Sequence, residues 1–193
     1  MPAADRRVTP CYDASPMDSH YDLVMKRRAE LEAARAPGRR YFAYSTVLDR
    51  AAFEEWRTQH AYEFFQLPEG DVVEAVDLDL VYDFPSRWWG GRVAGLVDAP
   101  GSSVFGRLFE IAGPDWPIVE HKEGAITAMC IERRVHVRRA NGEIVEASAF
   151  TTRPERASTD GPVSDRFVEA LVRGATASGL PAAYVGRLQS RRT

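Results

Sequence analysis

Between residues 72 and 151, five strand-like runs follow one another with no long helical stretch between them, at 72–84, 92–97, 104–111, 127–137 and 143–151. Parallel neighbours need a crossover of about a dozen residues or more, usually a helix, so these runs predict a mainly antiparallel or mixed sheet. Asn141-Gly142 between the last two predicts a tight hairpin with positive φ at both central residues. A sixth run, YFAYSTVL at 41–48, is aromatic and β-branched and reads as a buried strand. Asp49 then caps a helix that places Phe53, Trp56, His60 and Phe64 on one face, a spacing that reads as core, and Pro68-Glu69-Gly70 ends it. Toward the end, residues 165–180 form an amphipathic helix carrying Phe167, Ala170, Leu171 and Ala175, and Pro181 opens a short helix through Leu188. The order is strand, helix, five strands, two helices. It predicts an α+β fold whose sheet curls toward a barrel, and it argues against a doubly wound sheet.

Residues 1–16 read as a tail. Ser19 and Asp22 form a capping-box-like start to a helix stopped by Pro37-Gly38. Leu23, Val24 and Leu31 give it only a thin apolar stripe, so it is expected to lie on something else. The organisation expected is an extension over residues 1–40 and one domain over 41–193. With 193 residues, 45% apolar and 27% charged, the chain suits a single folded domain. A domain of this size buries roughly 70% of its unfolded surface and needs no metal or disulfide staple. The net charge of −3 leaves no basic excess for neutralising phosphates, which disfavours general nucleic-acid binding. No uncharged apolar run reaches the ~18 residues of a membrane helix, and the opening MPAADRRVTP has no apolar h-region of a secretory signal. Two distant cysteines, Cys11 and Cys130, fit a reducing cytoplasm better than a disulfide framework.

The usual catalytic and nucleotide-binding signatures are absent. His20, His60 and His136 stand singly on helix or strand patterns and read as structural or solvated. Trp88 and Trp89, if on a strand, turn to opposite faces, one to the core and one beside a pocket. One segment stands out, Glu120-His121-Lys122-Glu123-Gly124. On composition it is a solvated charged loop; with a pocket beside it, one of its carboxylates becomes a general base.

Several segments together resemble the γ-glutamylcyclotransferase-like (AIG2-like) family. Residues 41–48 resemble its substrate loop YFAYGSNL, and Trp88-Trp89-Gly90-Gly91 with Ala94 resembles its W-x-G-G-x-A segment. Pro100-Gly101 with Val104-Phe105-Gly106 is similar to its PG…V-W-G stretch, and residues 120–124 to its [DE]-x-x-E-G, whose second acid is catalytic. Arg173-Gly174-Ala175 and Gly179-Leu180-Pro181 with Tyr184 resemble its tail. The resemblance spans about residues 41–188. It implies a small mixed β-barrel flanked by helices, with a pocket at the barrel mouth. It implies a carbon–nitrogen lyase of the acyl-transfer type, in which a γ-glutamyl amide is cleaved by its own α-amino group to 5-oxoproline and an amine, as in glutathione metabolism. Glu123 is then the general acid/base. Tyr44, Ser45, Thr46, Val47, Leu48, Cys130 and Phe150 are the substrate-binding residues. No metal or other cofactor is expected. The partner is a small γ-glutamyl substrate, with neither nucleic acid nor membrane, and a homodimer is left open.

The departures from the family pattern fall in the same places. Ser45 stands for Gly, Thr46 for Ser and Val47 for Asn, and Cys130 and Phe150 replace frequent tyrosines. A Cβ at 45 is expected to hinder close approach of the backbone to a ligand. Each lost hydrogen bond to a charged ligand costs about 1.5–3 kcal/mol. Three readings follow: a cyclotransferase-like enzyme, a specialised enzyme that removes a γ-glutamyl cap from a biosynthetic intermediate, and a non-catalytic small-molecule-binding or interaction module on the same scaffold.

Overall fold

Buried side chains along the first long strand fall at Val73 and Ala75, then at Leu78, Leu80 and Tyr82, so the inward phase slips by one residue between them. The slip is a bulge at Asp77, whose φ is +57°. Bulges of this kind bend a sheet and increase its twist. A computed structural model describes residues 16–190. Its helices are α1 (Pro16–Ala33), α2 (Arg50–Gln59), α3 (Trp116–Lys122), α4 (Asp165–Ala177) and α5 (Ala182–Ser190). Its strands are β1 (Arg39–Ala43), β2 (Gly70–Ser86), β3 (Gly91–Ile111), β4 (Cys130–Arg138) and β5 (Ile144–Thr152). The strands close a barrel in the order β1-β3-β2-β4-β5. All neighbouring pairs are antiparallel except β1 with β5, which meet in parallel at Tyr41 and Ser148. The expectation of a mixed, barrel-like α+β fold flanked by helices holds.

Several local expectations do not. The runs at 92–97 and 104–111 are one strand, β3, and both pair with β2. Pro100-Gly101 is an excursion opposite the Asp77 bulge, where the Gly101 N–H donates to Asp77 Oδ1 at 2.8 Å. Beyond β1 the run at 41–48 turns into a 3₁₀ helix at Thr46–Leu48, because Leu48 N–H bonds to Ser45 O and Asp49 N–H to Thr46 O. α2 stops at Gln59, and Ala61 takes a φ of +57°. Phe64 is therefore exposed, and Phe65 takes the buried place against Phe53. The hairpin at Asn141-Gly142 forms, but only Gly142 has positive φ: Gly142 N–H donates to Arg139 O and Arg139 N–H to Glu143 O, a three-residue loop with a bulge. The first helix begins at Pro16, ahead of Ser19, and Leu23 faces solvent while Val24 is buried. Cys11 lies outside the described residues.

The core fills the barrel and the space under α4. Phe42, Leu80, Val104, Phe150, Phe167 and Leu171 are all fully or almost fully buried. Ser164 caps the start of α4, its Oγ accepting the Phe167 N–H at 3.2 Å. α4 lies on the Thr46–Leu48 turn, and Arg173 clamps the turn by an ion pair to Asp49 at 2.6 Å. Asp49 also caps α2 through Ala51 N–H, as the sequence predicts. α1 rests on the barrel end through Arg28 to Asp115 at 3.0 Å and through stacking of Tyr21 on Tyr62.

Candidate functional site

Glu123 sits at the point where the short helix α3 gives way to a loop. Its N–H closes the last turn on Val119 O at 2.9 Å. The next residue has a φ of +74°, which glycine adopts without strain. Gly124 then offers its carbonyl to Met129 N–H, Cys130 N–H and Thr127 Oγ. That cluster turns the chain back into β4, so a Glu-Gly pair here both ends the helix and fixes where the carboxyl begins. The helix itself was not expected: residues 120–124 read as a loop in sequence.

The carboxyl is half-buried and lines a cavity of about 420 Å³. Tyr41, on β1, donates its phenol to Glu123 Oε1 at 2.7 Å. That phenol is fixed in turn, since Tyr41 is buried and its ring packs against Phe109, Trp116 and Phe150. Burial, then the neighbouring Glu123 charge, pushes the Tyr41 hydroxyl well above its ordinary pKa, so it remains a proton donor to the carboxylate. Sequence reasoning missed Tyr41 as a site residue. It lies 82 positions from Glu123, and no local pattern joins the two.

Glu120 is separated from this arrangement. It does not line the cavity. Burial raises its pKa, against the lowering effect of the nearby Arg39. Arg39 itself ion-pairs with Glu132, which also accepts from Ser148.

The cavity gathers Tyr44, Ser45, Thr46, Cys130 and Phe150 around Glu123, all residues that the resemblance implies. Val47 and Leu48 are 4% and 7% exposed and belong to the core, not to the cavity wall. Ser45 has φ −117° and ψ −158°, an extended conformation open to any residue. No positive φ at this position calls for glycine. Tyr44 spends its phenol on Phe150 O at 2.6 Å, bracing β1 to β5. Burial, reinforced by the Glu123 charge, pushes the Cys130 thiol up to about 12. The shift favours the neutral thiol at physiological pH.

Much of the remaining lining is aromatic. Trp56 and His60 from the end of α2, Phe84, Trp88 and Trp89 contribute to it, together with Met129. Trp88 and Trp89 sit in the turn between β2 and β3, not on a strand, so strand alternation does not separate them and both border the cavity. The α2 face predicted as core is likewise shared with the cavity. The histidines are not all isolated either: His20, His60 and His121 come together, with ring centroids 5.7 and 5.0 Å from His121. Among the described residues no cluster of His, Cys, Asp and Glu has the arrangement to hold a metal ion, and no helix is long and apolar enough to cross a membrane.

Residues 103–188 match the AIG2-like family. No curated protein sequence matches the chain significantly. Among solved structures, a γ-glutamyl cyclotransferase is similar with a TM-score of 0.65 and 19% identity, over 79% of this chain and 87% of that one. An uncharacterised human protein gives a TM-score of 0.67 and 20% identity over the same shares, 79% and 87%. A yeast γ-glutamyl cyclotransferase specific to glutathione gives 0.56 and 9% over 80% of this chain and 95% of that one. At such identities the likeness is one of fold.

Proposed function

We propose that this chain, which carries the AIG2-like match on a γ-glutamylcyclotransferase-like fold, is a cyclotransferase-like enzyme that cleaves a γ-glutamyl amide with Glu123 as its general acid/base. The observation that supports the reading most strongly is the Tyr41-fixed carboxyl of Glu123 at the wall of a cavity that also exposes Ser45 and Thr46.

The substrate carries its own nucleophile. When the glutamyl chain folds, the α-amino nitrogen reaches the γ-carbonyl carbon and closes a five-membered ring. The new C–N bond forms, and the bond to the leaving amine breaks. Glu123 takes the proton lost by the attacking nitrogen and delivers it to the departing one. The products are 5-oxoproline and a free amine, with no water consumed. No electrons are exchanged, so the step as written requires no cofactor. Because the reaction is intramolecular, the protein's main task is to hold the folded conformer, which is where large effective concentrations arise. The Thr46–Leu48 turn leaves the amides of Thr46 and Val47 outside its own ladder. In this reading they hold the substrate carboxylate or the developing oxyanion. Val47 acts through its backbone, which is unaffected by the burial of its side chain.

The test is 5-oxoproline release from a panel of γ-glutamyl amino acids and amines. Glu123→Gln preserves shape and a hydrogen-bond acceptor for Tyr41 but not the proton shuttle, and is expected to lose about 10²–10⁴-fold in kcat. Undiminished activity in that variant removes Glu123 from the mechanism. Ligand-induced stabilisation without any product would favour the binding-module reading. The specialised cap-removing reading is favoured by the hydroxyl-poor wall at Cys130 and Phe150, and predicts turnover of bulky conjugates only.

A further inference from the structure

The proton shuttle gives the tryptophan pair at the β2–β3 turn no task, yet the structure holds that turn firmly. Ser164 Oγ donates to Trp89 O, and Trp89 N–H donates to Ser86 Oγ at 3.3 Å. The strand just beyond is tied to the start of α4 by Arg92 N–H to Pro162 O at 2.9 Å and Ser164 N–H to Arg92 O at 3.0 Å. Trp89 is set edge-on against Phe167, with centroids 5.4 Å apart. The Arg166 guanidinium lies 5.1 Å from the Trp89 ring centroid and 5.8 Å from that of Trp88. Trp88 nevertheless remains 56% exposed, and Met129, which lines the same cavity, is 37% exposed. Large apolar side chains exposed at the rim of a cavity, on a turn whose backbone is fixed and next to a proton-transfer group, are a binding surface awaiting apolar area. The charged groups at this wall and its rim, Glu55, Lys122 and Arg166, differ in sign, and Arg166 already lies over the tryptophan rings, so the ring area left over suits an uncharged group rather than a second cation.

Resting on the cyclotransferase reading, we infer that this wall is the subsite for the leaving amine, and that the leaving amine carries a neutral aromatic ring that packs on Trp88 and Trp89. The glutamyl half occupies the side of Ser45 and Thr46. The scissile bond lies at Glu123 between the two halves, and the leaving half extends toward the tryptophans. Ring-on-ring packing adds to the ordinary gain from burying apolar area.

Two measurements test it. In the first, kcat/KM for 5-oxoproline release is compared for γ-glutamyl-phenylalanine and γ-glutamyl-alanine. The aromatic substrate is expected to be favoured by about tenfold or more, and Trp88→Ala to bring that ratio close to one. Trp88 is exposed, so the variant should fold. Equal turnover of both substrates, or an unchanged ratio in the variant, overturns the inference. The second measurement is calorimetric binding of phenethylamine against ethylamine, which needs no turnover. Tighter binding of phenethylamine that is lost in Trp88→Ala supports the subsite, and equal binding overturns it. Absence of 5-oxoproline from every substrate counts against the cyclotransferase reading alone, since the binding comparison still decides the subsite.

Discussion

A carboxylate that must pick up a proton from one nitrogen and release it to another has to stay in place between the two transfers. In the proposed reaction Glu123 is that carboxylate, and the Tyr41 phenol holds it from one oxygen, at 2.7 Å. Tyr41 does not line the cavity itself, so in the proposed reaction it is a positioning residue. Tyr41→Phe removes one oxygen and leaves the ring packed against Trp116 and Phe150. The expected result is a fall in kcat of about tenfold with little change in KM, because substrate binding does not pass through this bond. A rise in KM at constant kcat would place Tyr41 in binding instead. Steady-state kinetics on a turned-over γ-glutamyl substrate separates the two.

At the level of elements, the site depends on α4 pressing the Thr46–Leu48 turn into position. Gly174 makes that possible: a Cβ there would stand 2.5 Å from Asp49 N and 2.7 Å from Leu48 C, both backbone atoms that cannot swing aside. Gly174→Ala is therefore expected to destabilise by about 1–3 kcal/mol despite the higher helix propensity of alanine. Thermal unfolding would register this as a Tm lower by several degrees; an unchanged or raised Tm would show that the helix can retreat freely. Much of this layer was legible in the sequence. Asp49 as a cap, Asn141-Gly142 as a hairpin and the amphipathic pattern of α4 all signal through residues close in the chain. What escaped was set by distant packing. Pro100-Gly101 looks like a strand break, and only pairing with β2 across the Asp77 bulge makes β3 continuous. Phe64 and Phe65 are adjacent in sequence, and the left-handed turn at Ala61 decides which one is buried. Likewise the Glu-Gly motif marks a carboxylate at a chain reversal, whereas its partner Tyr41 becomes visible only once β1 lies beside the end of α3.

For the whole molecule, α1, α2 and α3 meet at the histidine cluster. His121 is buried, bonds through Nδ1 to the Tyr62 hydroxyl at 3.0 Å, and faces His60 and His20. Burial first, then those two histidines, lowers its pKa from 6.5 to about 4. The folded protein thus keeps His121 neutral where the unfolded chain already binds a proton. The stability this contributes is present above pH 6.5 and is lost as pH falls from there toward about 4. The loss should amount to a few kcal/mol, and His121→Gln should flatten the pH dependence of unfolding across that window. An identical slope in the variant would show that other groups set it. The central claim, however, concerns which nucleophile opens the γ-glutamyl amide. Mass analysis of the product formed in ¹⁸O-enriched water tests it directly. Attack by the substrate's own amine predicts 5-oxoproline with no label. Glutamate carrying ¹⁸O in its γ-carboxyl would mean that water is the nucleophile, and would contradict the account.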